Sequence, residues 1–450
     1  MSNRVKFIIL YLFLFAFRTA YGLSLKFWES DELQTYLIGL KWYSTHAWPF
    51  FGPDLIVDDT HFFFQIPGAL EGLIVGTPFF LLPIPEAPFL FLNQLSLSAI
   101  AFLSWYISKR LPKIPYLFVF AWIALLPWTL NDSTHMYNPC YLLIGSVLFF
   151  VGFLEAVPTL SIKALSSQLA FALMGFGLFW NMQFHFSWIL LPPFVLFAFF
   201  TQWHKSGFIK LFRGIGFLLA GSIVPAAFLL PTLLTYGWHN LLGGGGTFQF
   251  INWANVKQII TMLARFLSQA CFEMPQFVGE HTKDRFALMN EAPWLYLPGI
   301  FLLLVGWLQA VALLFLGLFE PFIWPFLRWK KNPRRPEEFP LFRLIRLVFL
   351  MLYMSFWFTY KAPVAHAYFI LFPLVTVFSF YIWNKLFETK PSFWGTFGKI
   401  ALAMSFLFHL GFLVEMMPKR SLYSNRPLIV RAIQEKDYRI LAVRRPQSIY

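Results

Sequence analysis

Residues 5–23 read VKFIILYLFLFAFRTAYGL, an apolar run long enough to cross a lipid bilayer as one helix. Arg4 and Lys6 stand at the start of this run, so we expect the N-terminus on the cytoplasmic side of the membrane. The run is long for a cleavable signal, and no convincing small-residue cleavage site follows it. The first segment therefore predicts a transmembrane helix that stays in the protein.

The composition of the whole chain agrees with this prediction. Of 450 residues, 58% are hydrophobic and 12% are charged, whereas an ordinary soluble domain carries about 25% charged residues. These values exclude a soluble globular enzyme and a disordered chain, and two cysteines, Cys140 and Cys271, are too few for a disulfide scaffold. The net charge of +14 is explained by cytoplasmic anchoring of the helices, so we expect no nucleic-acid partner.

Apolar segments of similar length recur along the chain. The predicted spans are about 5–23, 88–108, 115–131, 139–157, 167–182, 184–202, 214–236, 293–318, 344–360, 362–384 and 400–417. The segment 66–84 is apolar as well, but its prolines, its glycines and Glu71 disfavour a helix inside lipid. We therefore expect 66–84 to be re-entrant or to lie in the membrane interface.

The basic clusters support this topology. Lys and Arg gather at 109–113, 205–213 and 328–346, and all three clusters face the cytoplasm only if 66–84 does not cross. We therefore predict an all-α polytopic membrane protein with about eleven transmembrane helices (10–13) in a domain over 1–417. The polar tail 418–450 then lies on the outer face, although its eight Lys and Arg would suit the cytoplasm better.

Two long loops, 24–87 and 237–292, face outside in this topology. The first opens with WESDELQTY at 28–36 and continues as a predicted amphipathic helix in the membrane interface, because its apolar residues have helical spacing. These residues are Leu33, Tyr36, Leu37, Leu40 and Tyr43. In the second loop, the spacing over 254–272 predicts a further amphipathic helix on the membrane surface.

The first loop is rich in acids. Six of the 21 acidic residues of the chain lie between positions 29 and 59 of this loop: Glu29, Asp31, Glu32, Asp54, Asp58 and Asp59. The helix dipole alone explains two acids in the first turn of a helix that Ser30 caps, but it does not explain the gathering of all six. Clustered carboxylates raise one another's pKa, as a general base requires, or they bind a divalent cation.

The order of these features resembles the GT-C class of membrane glycosyltransferases. An acidic pair after the first span, an amphipathic helix and the patch Trp48-Pro49-Phe50 are similar to the branch of protein O-mannosyltransferases and lipid A aminoarabinose transferases. In that branch a helix after the first loop lies in the interface. The resemblance continues at 128–132 (WTLND), where the class places a second acid, and at 366–373 (HAYFILFP), similar to its late Tyr…Pro span.

This resemblance implies a GT-C-like fold with interfacial helices in the first outer loop. It also implies an inverting glycosyltransferase that moves a sugar from a polyprenyl-phosphate donor to a hydroxyl acceptor on a lipid, glycan or protein. Asp31 matches the family's Asp and receives the role of base or acceptor-orienting group, Glu32 follows it, and Asp132 is the second acid. The implied location is a bacterial inner membrane, with the site on the periplasmic face.

The remaining candidate residues are those that could bind the polyprenyl-phosphate donor. Lys361 and His366 stand at the outer mouths of adjacent spans and are candidate phosphate contacts, although snorkelling and a structural hydrogen bond explain them equally well. Tyr368 belongs to the same motif. The resembling branch carries a phosphate-contacting lysine before its interfacial helix, whereas here only His61 stands near that position, and Glu71 follows it without a clear role.

The metal dependence is open at this stage. Asp58, Asp59 and His61 could hold a divalent cation such as Mg²⁺, Mn²⁺ or Zn²⁺. No ligand spacing such as His-Glu-x-x-His indicates a particular metal. Asp132 could steer the acceptor, or it could be an ordinary solvated loop acid.

Other classes of protein predict different patterns. A transporter or flippase of lipid-linked sugars would carry charges along its spans and internal repeats, and neither is evident in the sequence. A membrane acyltransferase would use a His-Asp pair, for which only Asp132 and His135, in reverse order, are available. A non-catalytic scaffold would have no need of the acid cluster.

Overall fold

The computed structural model describes residues 2–24, 30–56, 63–157, 159–160, 162–237, 251–271, 290, 292–315, 339–359, 365–416 and 421–442. The structure is 83% helical. Seven of its helices are long and apolar enough to cross a membrane. The prediction of a mostly helical chain with helices of membrane-spanning length is therefore confirmed among the described residues, while the eleven spans and the GT-C-like fold stay predictions.

The helices are numbered in chain order. The first half contains α1 (Asn3–Ser24), α2 (Ser30–Thr45), α3 (Leu70–Gly76), α4 (Pro78–Leu81), α5 (Ala87–Arg110), α6 (Tyr116–Leu125), α7 (Pro127–Asn131), α8 (Leu142–Ala156), α9 (Ser167–Asn181) and α10 (Pro192–Tyr236). The second half contains α11 (Trp253–Val256), α12 (Ile259–Leu267), α13 (Tyr296–Leu314), α14 (Phe339–Ser355), α15 (Phe372–Thr389), α16 (Pro391–Met416), α17 (Ser421–Gln434) and α18 (Arg439–Ala442). Short 3₁₀ turns lie at Asn138–Tyr141, Phe186–Leu190, Pro293–Leu295, Phe356–Phe358 and Ala365–Leu371.

Two predicted features of the spans have clear local causes. The predicted span 115–131 is divided into α6 and α7, because Pro127 holds Leu126 in an extended conformation with φ −63° and ψ 139°. The two predicted spans 184–202 and 214–236 lie in the two halves of α10, which Gly207 separates with the non-helical values φ 77° and ψ 179°. This left-handed φ is accessible to glycine and costly for residues with a Cβ.

The first outer loop contains a β-hairpin, which the all-α prediction did not include. Strand β1 (Phe51–Ile56) pairs antiparallel with β2 (Phe63–Pro67). The sequence here is rich in aromatic and β-branched residues, which favour strands, and Pro53 disfavours a helix. The pairing register shifts between Phe51 and Asp54, next to this proline.

The segment 66–84 contains no helix of membrane-spanning length. It ends strand β2 and then forms α3 and α4, an apolar helical stretch from Leu70 to Leu81. At about 1.5 Å per residue this stretch is about 18 Å long, well short of the roughly 30 Å of hydrocarbon in a bilayer. The helices pack on α2, where Gly39 and Gly76 leave no room for a Cβ between the two backbones.

Helix α2 forms where the apolar spacing predicts it. The five apolar residues of that spacing, from Leu33 to Tyr43, are buried. They are covered by the protein itself, because the ring of Tyr36 lies 5.5 Å from that of Phe79 and the ring of Tyr43 lies 5.0 Å from that of Phe80. The hydroxyl of Tyr36 donates to the carbonyl of Pro85. The apolar face thus packs on α4 and on the segment that leads into α5.

The C-terminal tail returns to the same end of the molecule. Arg426 of α17 forms an ion pair with Glu86 at the start of α5, with 2.9 Å between Nε and Oε1. Lys41 of α2 lies over the ring of Tyr438, and Lys436 lies over the ring of Tyr43. The tail therefore caps α2, although the side of the membrane that it faces stays a prediction.

A buried ion pair closes the opposite end of the helix layer. Arg110, at the end of α5, pairs with Glu155, at the end of α8. Oε2 of Glu155 also accepts hydrogen bonds from the backbone N–H groups of Ala164 and Leu165, each over 3.0 Å. This pair fixes the connection between α8 and α9 at the end of the molecule that the basic clusters assign to the cytoplasm.

Candidate functional site

The first turn of α2 meets the loop between α7 and the 3₁₀ turn Asn138–Tyr141. Nε2 of His135 lies 3.9 Å from Oε1 of Glu32. The side chains are only 9% and 12% exposed, so little water separates them. This contact joins the acidic start of the first outer loop to the loop that carries the second predicted acid.

Asp132 lies in the same loop and is fully buried. Its Oδ1 accepts a hydrogen bond of 2.8 Å from the hydroxyl of Tyr137 and one of 2.7 Å from Nδ2 of Asn131. Burial, and then the negative charge of Asp132, raise the pKa of Tyr137 well above its usual value. Tyr137 therefore keeps its proton and serves as a hydrogen-bond donor to the carboxylate.

Tyr137 also connects the acids to two histidines. Its ring stacks on His135, with 4.7 Å between the ring centroids, and its edge faces His366 at 6.1 Å. The ring of His366 in turn lies 5.9 Å from that of His185. We call this group of side chains the outer cluster, after the predicted outer loop that contributes Glu32: Glu32, Asp132, His135, Tyr137, His185 and His366.

A buried arginine in α1 fixes the loop of Asp132. Nη1 of Arg18 donates to the carbonyl of Ala124 over 2.7 Å, and Nη2 donates to Oγ of Ser133 over 2.7 Å. Nη2 also approaches the carbonyl of Thr129 at 3.3 Å. The guanidinium is fully buried, so its charge is solvated by these carbonyl groups rather than by water.

One helical turn after Arg18, α1 makes a second close contact with the loop of Asp132. A Cβ on Gly22 would overlap the carbonyl oxygen of Thr134, so α1 can approach the loop only with glycine at this position. Nδ2 of Asn93, on α5, donates to the same carbonyl over 3.1 Å. The loop is thus held from α1 and α5, on both sides of its backbone.

His185 is neutral in this setting. It precedes the candidate membrane span that begins at Phe186, and its Nδ1 accepts a hydrogen bond of 3.1 Å from the backbone N–H of Ser187. The ring proton therefore resides on Nε2. Burial, and then the neighbouring His366, lower the pKa of His185 to about 3. His185 consequently offers one N–H donor and no charge at neutral pH.

Two predicted substrate contacts are enclosed by protein. Tyr368 is fully buried in an aromatic layer, with its ring 5.7 Å from Trp128 and 6.1 Å from Phe266. Glu71 is fully buried as well, and its Oε1 accepts a hydrogen bond of 3.1 Å from Thr35 of α2. In these positions both side chains stabilise the packing of the protein. Their contact with a substrate stays a prediction, and it requires that the two side chains become accessible.

Several candidates lie outside the described residues. They are Asp58, Asp59, His61 and Lys361, and for Asp31 only the backbone is described, at the start of α2. The predicted cation site therefore falls on residues of which the structure says nothing. Within the described ranges, no three His, Cys, Asp or Glu side chains are grouped as metal ligands.

A small apolar pocket lies beside the outer cluster. Its cavity volume is about 10 Å³, and it is lined by Leu92, Leu95, Ser96, Cys140, Tyr141, Ile144 and Trp180. Cys140 also contacts the outer cluster, because its Sγ lies 3.9 Å from Nδ1 of His135. The pocket thus brings apolar surface of α5, α8 and α9 next to polar groups.

The sequence identified part of this site. Glu32, Asp132 and His366 were predicted from separate motifs, and the structure brings them into one cluster. Arg18 and His185 were not predicted. The signal for Arg18 was present, since a charged residue inside an apolar span is rare and indicates a specific partner.

The molecule was also compared with known proteins. No protein-family model, no curated protein sequence and no solved structure matches the chain at a significant level.

Proposed function

We propose that this protein is an inverting glycosyltransferase that moves a sugar from a polyprenyl-phosphate donor to a hydroxyl acceptor at the outer face of the membrane. The contact between Glu32 and His135 carries the proposal. It joins the acidic start of α2 to the loop of Asp132, with two further histidines close by. Acids on one side and N–H donors on the other are what such a transfer requires.

In the proposed reaction the acceptor hydroxyl attacks the anomeric carbon of the sugar. A carboxylate takes the hydroxyl proton, the new glycosidic bond forms, and the bond from the anomeric carbon to the phosphate oxygen breaks. We assign the base to Asp31, at the start of α2, and the positioning of that helix start to Glu32 through His135. Asp132, held by Tyr137, would orient the acceptor.

The surroundings favour a donor that resides in the bilayer. The outer cluster lies close to the starts of several apolar helices of membrane length, and apolar side chains line the small pocket next to it. In the proposed function, the prenyl chain of the donor stays in the membrane while its sugar meets the cluster. The phosphate of such a donor is already a good leaving group, so base catalysis and phosphate binding account for most of the chemistry.

The transporter or flippase of lipid-linked sugars is the alternative. Polar side chains do occur inside the helix layer: Gln269 bonds Thr376 over 2.8 Å, and Gln309 contacts Gln269 at 3.2 Å and accepts from Ser379 over 2.7 Å. These groups bond one another, as in a structural network. A transport path would instead need polar groups directed at the cargo.

The deciding experiment is transfer from a labelled polyprenyl-phosphate sugar in membranes. We expect label to leave the lipid with the wild type and the rate to fall at least about a hundredfold in Asp31→Asn, because the variant keeps the size but loses the base. Glu435→Gln, an exposed carboxylate in the tail, is the matched control and should transfer at the wild-type rate.

Two results would contradict parts of the proposal. If the wild type moves the lipid across vesicles without cleaving the sugar–phosphate bond, over a panel of sugars, the protein is a flippase. If the wild type transfers and Asp31→Asn is unaffected, the activity stands but the base is wrong, and Glu32→Gln and Asp132→Asn become the next variants.

A further inference from the structure

Helix α10 folds back on itself at Gly207. The ring of Phe171, in α9, stacks on that of Phe199 with 5.5 Å between the centroids, and it lies 3.0 Å from the place that a Cβ of Gly214 would occupy. In one straight helix, residues 199 and 214 would be about 22 Å apart, too far for a single ring to contact both. The chain therefore reverses between them, and the positive φ of Gly207 provides the turn.

The turn at Gly207 lies at the end of the molecule that the ion pair of Arg110 and Glu155 closes. The carboxylate of Glu155 binds two backbone N–H groups immediately before α9 begins. Phe171, which contacts both halves of α10, lies near the start of the same helix. The turn is therefore at the end that the basic clusters assign to the cytoplasm.

Large apolar side chains surround this turn without being covered by the protein. They are between 45% and 86% exposed: Trp203, Phe208, Ile209 and Phe212. The rings of Trp203 and Phe208 meet across the turn at 6.0 Å, and Phe208 lies 5.4 Å from Phe212. A Cβ on Gly207 would meet nothing within 4 Å. An exposed apolar group of this kind indicates a contact surface, and aromatic rings are enriched where a membrane meets water.

Three exposed cations stand on both sides of the same turn. Lys205 precedes Gly207 by two positions, and Lys210 and Arg213 follow it on one face of the second half of α10. None of the three forms an ion pair with any residue that the structure describes. The sequence offers no acid nearby in the chain either, because no Asp or Glu occurs between Glu155 and Glu273. The turn therefore combines exposed rings with uncompensated positive charge.

The neighbouring elements add to this positive charge. Three further exposed or half-buried lysines lie at the same end: Lys109, Lys113 and Lys163. The end of α15 joins them, because the backbone N–H of Lys113 donates to Oδ1 of Asn384 over 3.2 Å. Of the acids described here, Glu155 is held in its buried ion pair, and Glu388 lies 3.8 Å from Lys385. These acids do not neutralise the turn.

We propose that the turn at Gly207 is a membrane anchor that binds the headgroups of anionic phospholipids. The exposed rings enter the leaflet, and Lys205, Lys210 and Arg213 bind the headgroup phosphates. A zwitterionic headgroup brings its own cation, so only an anionic lipid compensates the charge of the turn. Each Lys or Arg close to an anionic membrane surface strengthens binding about fivefold. The inference is independent of the proposed transferase activity, because the turn lies at the opposite end from the outer cluster.

The test counts the lipids bound to the purified full-length chain in detergent by native mass spectrometry. Phosphatidylglycerol and phosphatidylcholine with the same acyl chains are offered in equal amounts. We expect the wild type to prefer phosphatidylglycerol, and this preference to fall at least tenfold in Lys205→Gln/Lys210→Gln/Arg213→Gln, with phosphatidylcholine binding unchanged. The charge-conserving variant Lys205→Arg/Lys210→Arg/Arg213→Lys should keep the preference.

The matched control removes three exposed cations from the tail, in Arg431→Gln/Lys436→Gln/Arg439→Gln, and should bind like the wild type. Higher salt should weaken the preference of the wild type, because the contacts are exposed to solvent. Equal binding of the two lipids by the wild type would overturn the proposal. So would an unchanged preference in the first Gln variant once thermal unfolding shows it to be folded, or an equal loss in the tail variant.

Discussion

Nη2 of Arg18 donates a hydrogen bond of 2.7 Å to Oγ of Ser133, across 115 positions of the sequence. Arg18 lies inside α1, the helix that begins the chain, whereas Ser133 follows Asp132 directly. An apolar helix of membrane-spanning length therefore carries the charged group that fixes the loop of the outer cluster. Because the guanidinium is solvated by backbone carbonyls, this loop cannot move independently of α1.

The first prediction concerns this arginine. Arg18→Met keeps the length of the side chain and leaves the carbonyls of Ala124 and Thr129 without their donor, so we expect the free energy of unfolding to fall by about 3 kcal/mol. Thermal unfolding in detergent measures the change, and transfer activity should fall at least tenfold. Arg4→Met, at the exposed start of the same helix, should change neither quantity. Wild-type stability in Arg18→Met would contradict the assigned role.

A second prediction tests the close approach of α1 to the loop. Gly22→Ala places a methyl group against the carbonyl of Thr134, and we expect a loss of about 1–3 kcal/mol in unfolding free energy, with reduced transfer. Gly216→Ala is the matched variant, because a Cβ there meets nothing within 4 Å. It should stabilise α10 by about 0.5–1 kcal/mol. Equal effects of the two variants would show that the contact is unimportant.

The hydrogen bond between Tyr137 and Asp132 gives a third prediction. Tyr137→Phe removes the donor and keeps the ring that stacks on His135, so the fold should lose only about 1 kcal/mol. We expect the transfer rate to fall about tenfold, because Asp132 is no longer oriented. Tyr11→Phe in α1, which removes a hydroxyl contact with Ser98 of α5, should leave the rate unchanged. An unaltered rate in Tyr137→Phe would remove Tyr137 from the site.

The buried pair at the opposite end provides a fourth prediction. Glu155→Gln leaves Arg110 buried without its counter-charge, and we expect a loss of about 3–5 kcal/mol in unfolding free energy. The exposed pair Arg431–Glu435 is the control, since Glu435→Gln should cost at most about 0.5 kcal/mol. Denaturation in detergent compares the two, and similar losses would argue against the burial of the first pair.

The fifth prediction follows from the low pKa of His185. Its pKa is about 3 in the folded chain against an ordinary value of 6.5, so below pH 6.5 the unfolded chain binds a proton that the folded chain does not. Stability should therefore be constant above this pH and fall as the pH is lowered toward 3, by at most about 1.4 kcal/mol per pH unit. His185→Phe should reduce this slope and His204→Phe should not. A slope unchanged in His185→Phe would exclude the effect.

The local sequence pattern was sufficient to predict several helices of this protein. The run at 5–23 became α1, and the spacing from Leu33 to Tyr43 became the buried face of α2. The prolines and glycines of 66–84 became a stretch too short to cross. These features depend on hydrophobic length, periodicity and backbone restriction, which neighbouring residues determine among themselves.

The site depended on contacts between distant parts of the chain. The sequence indicated Glu32, Asp132 and His366 as separate candidates, but it contained no signal that His185 would face His366 or that Tyr137 would connect the acids to the histidines. Such contacts follow from the order in which the helices pack, which local pattern does not determine. The sequence by itself therefore determined a chain with helices of membrane-spanning length and a group of acids in one loop. The tertiary structure decided which of these acids meet the histidines, because buried polar groups bond to the partners that packing brings within reach.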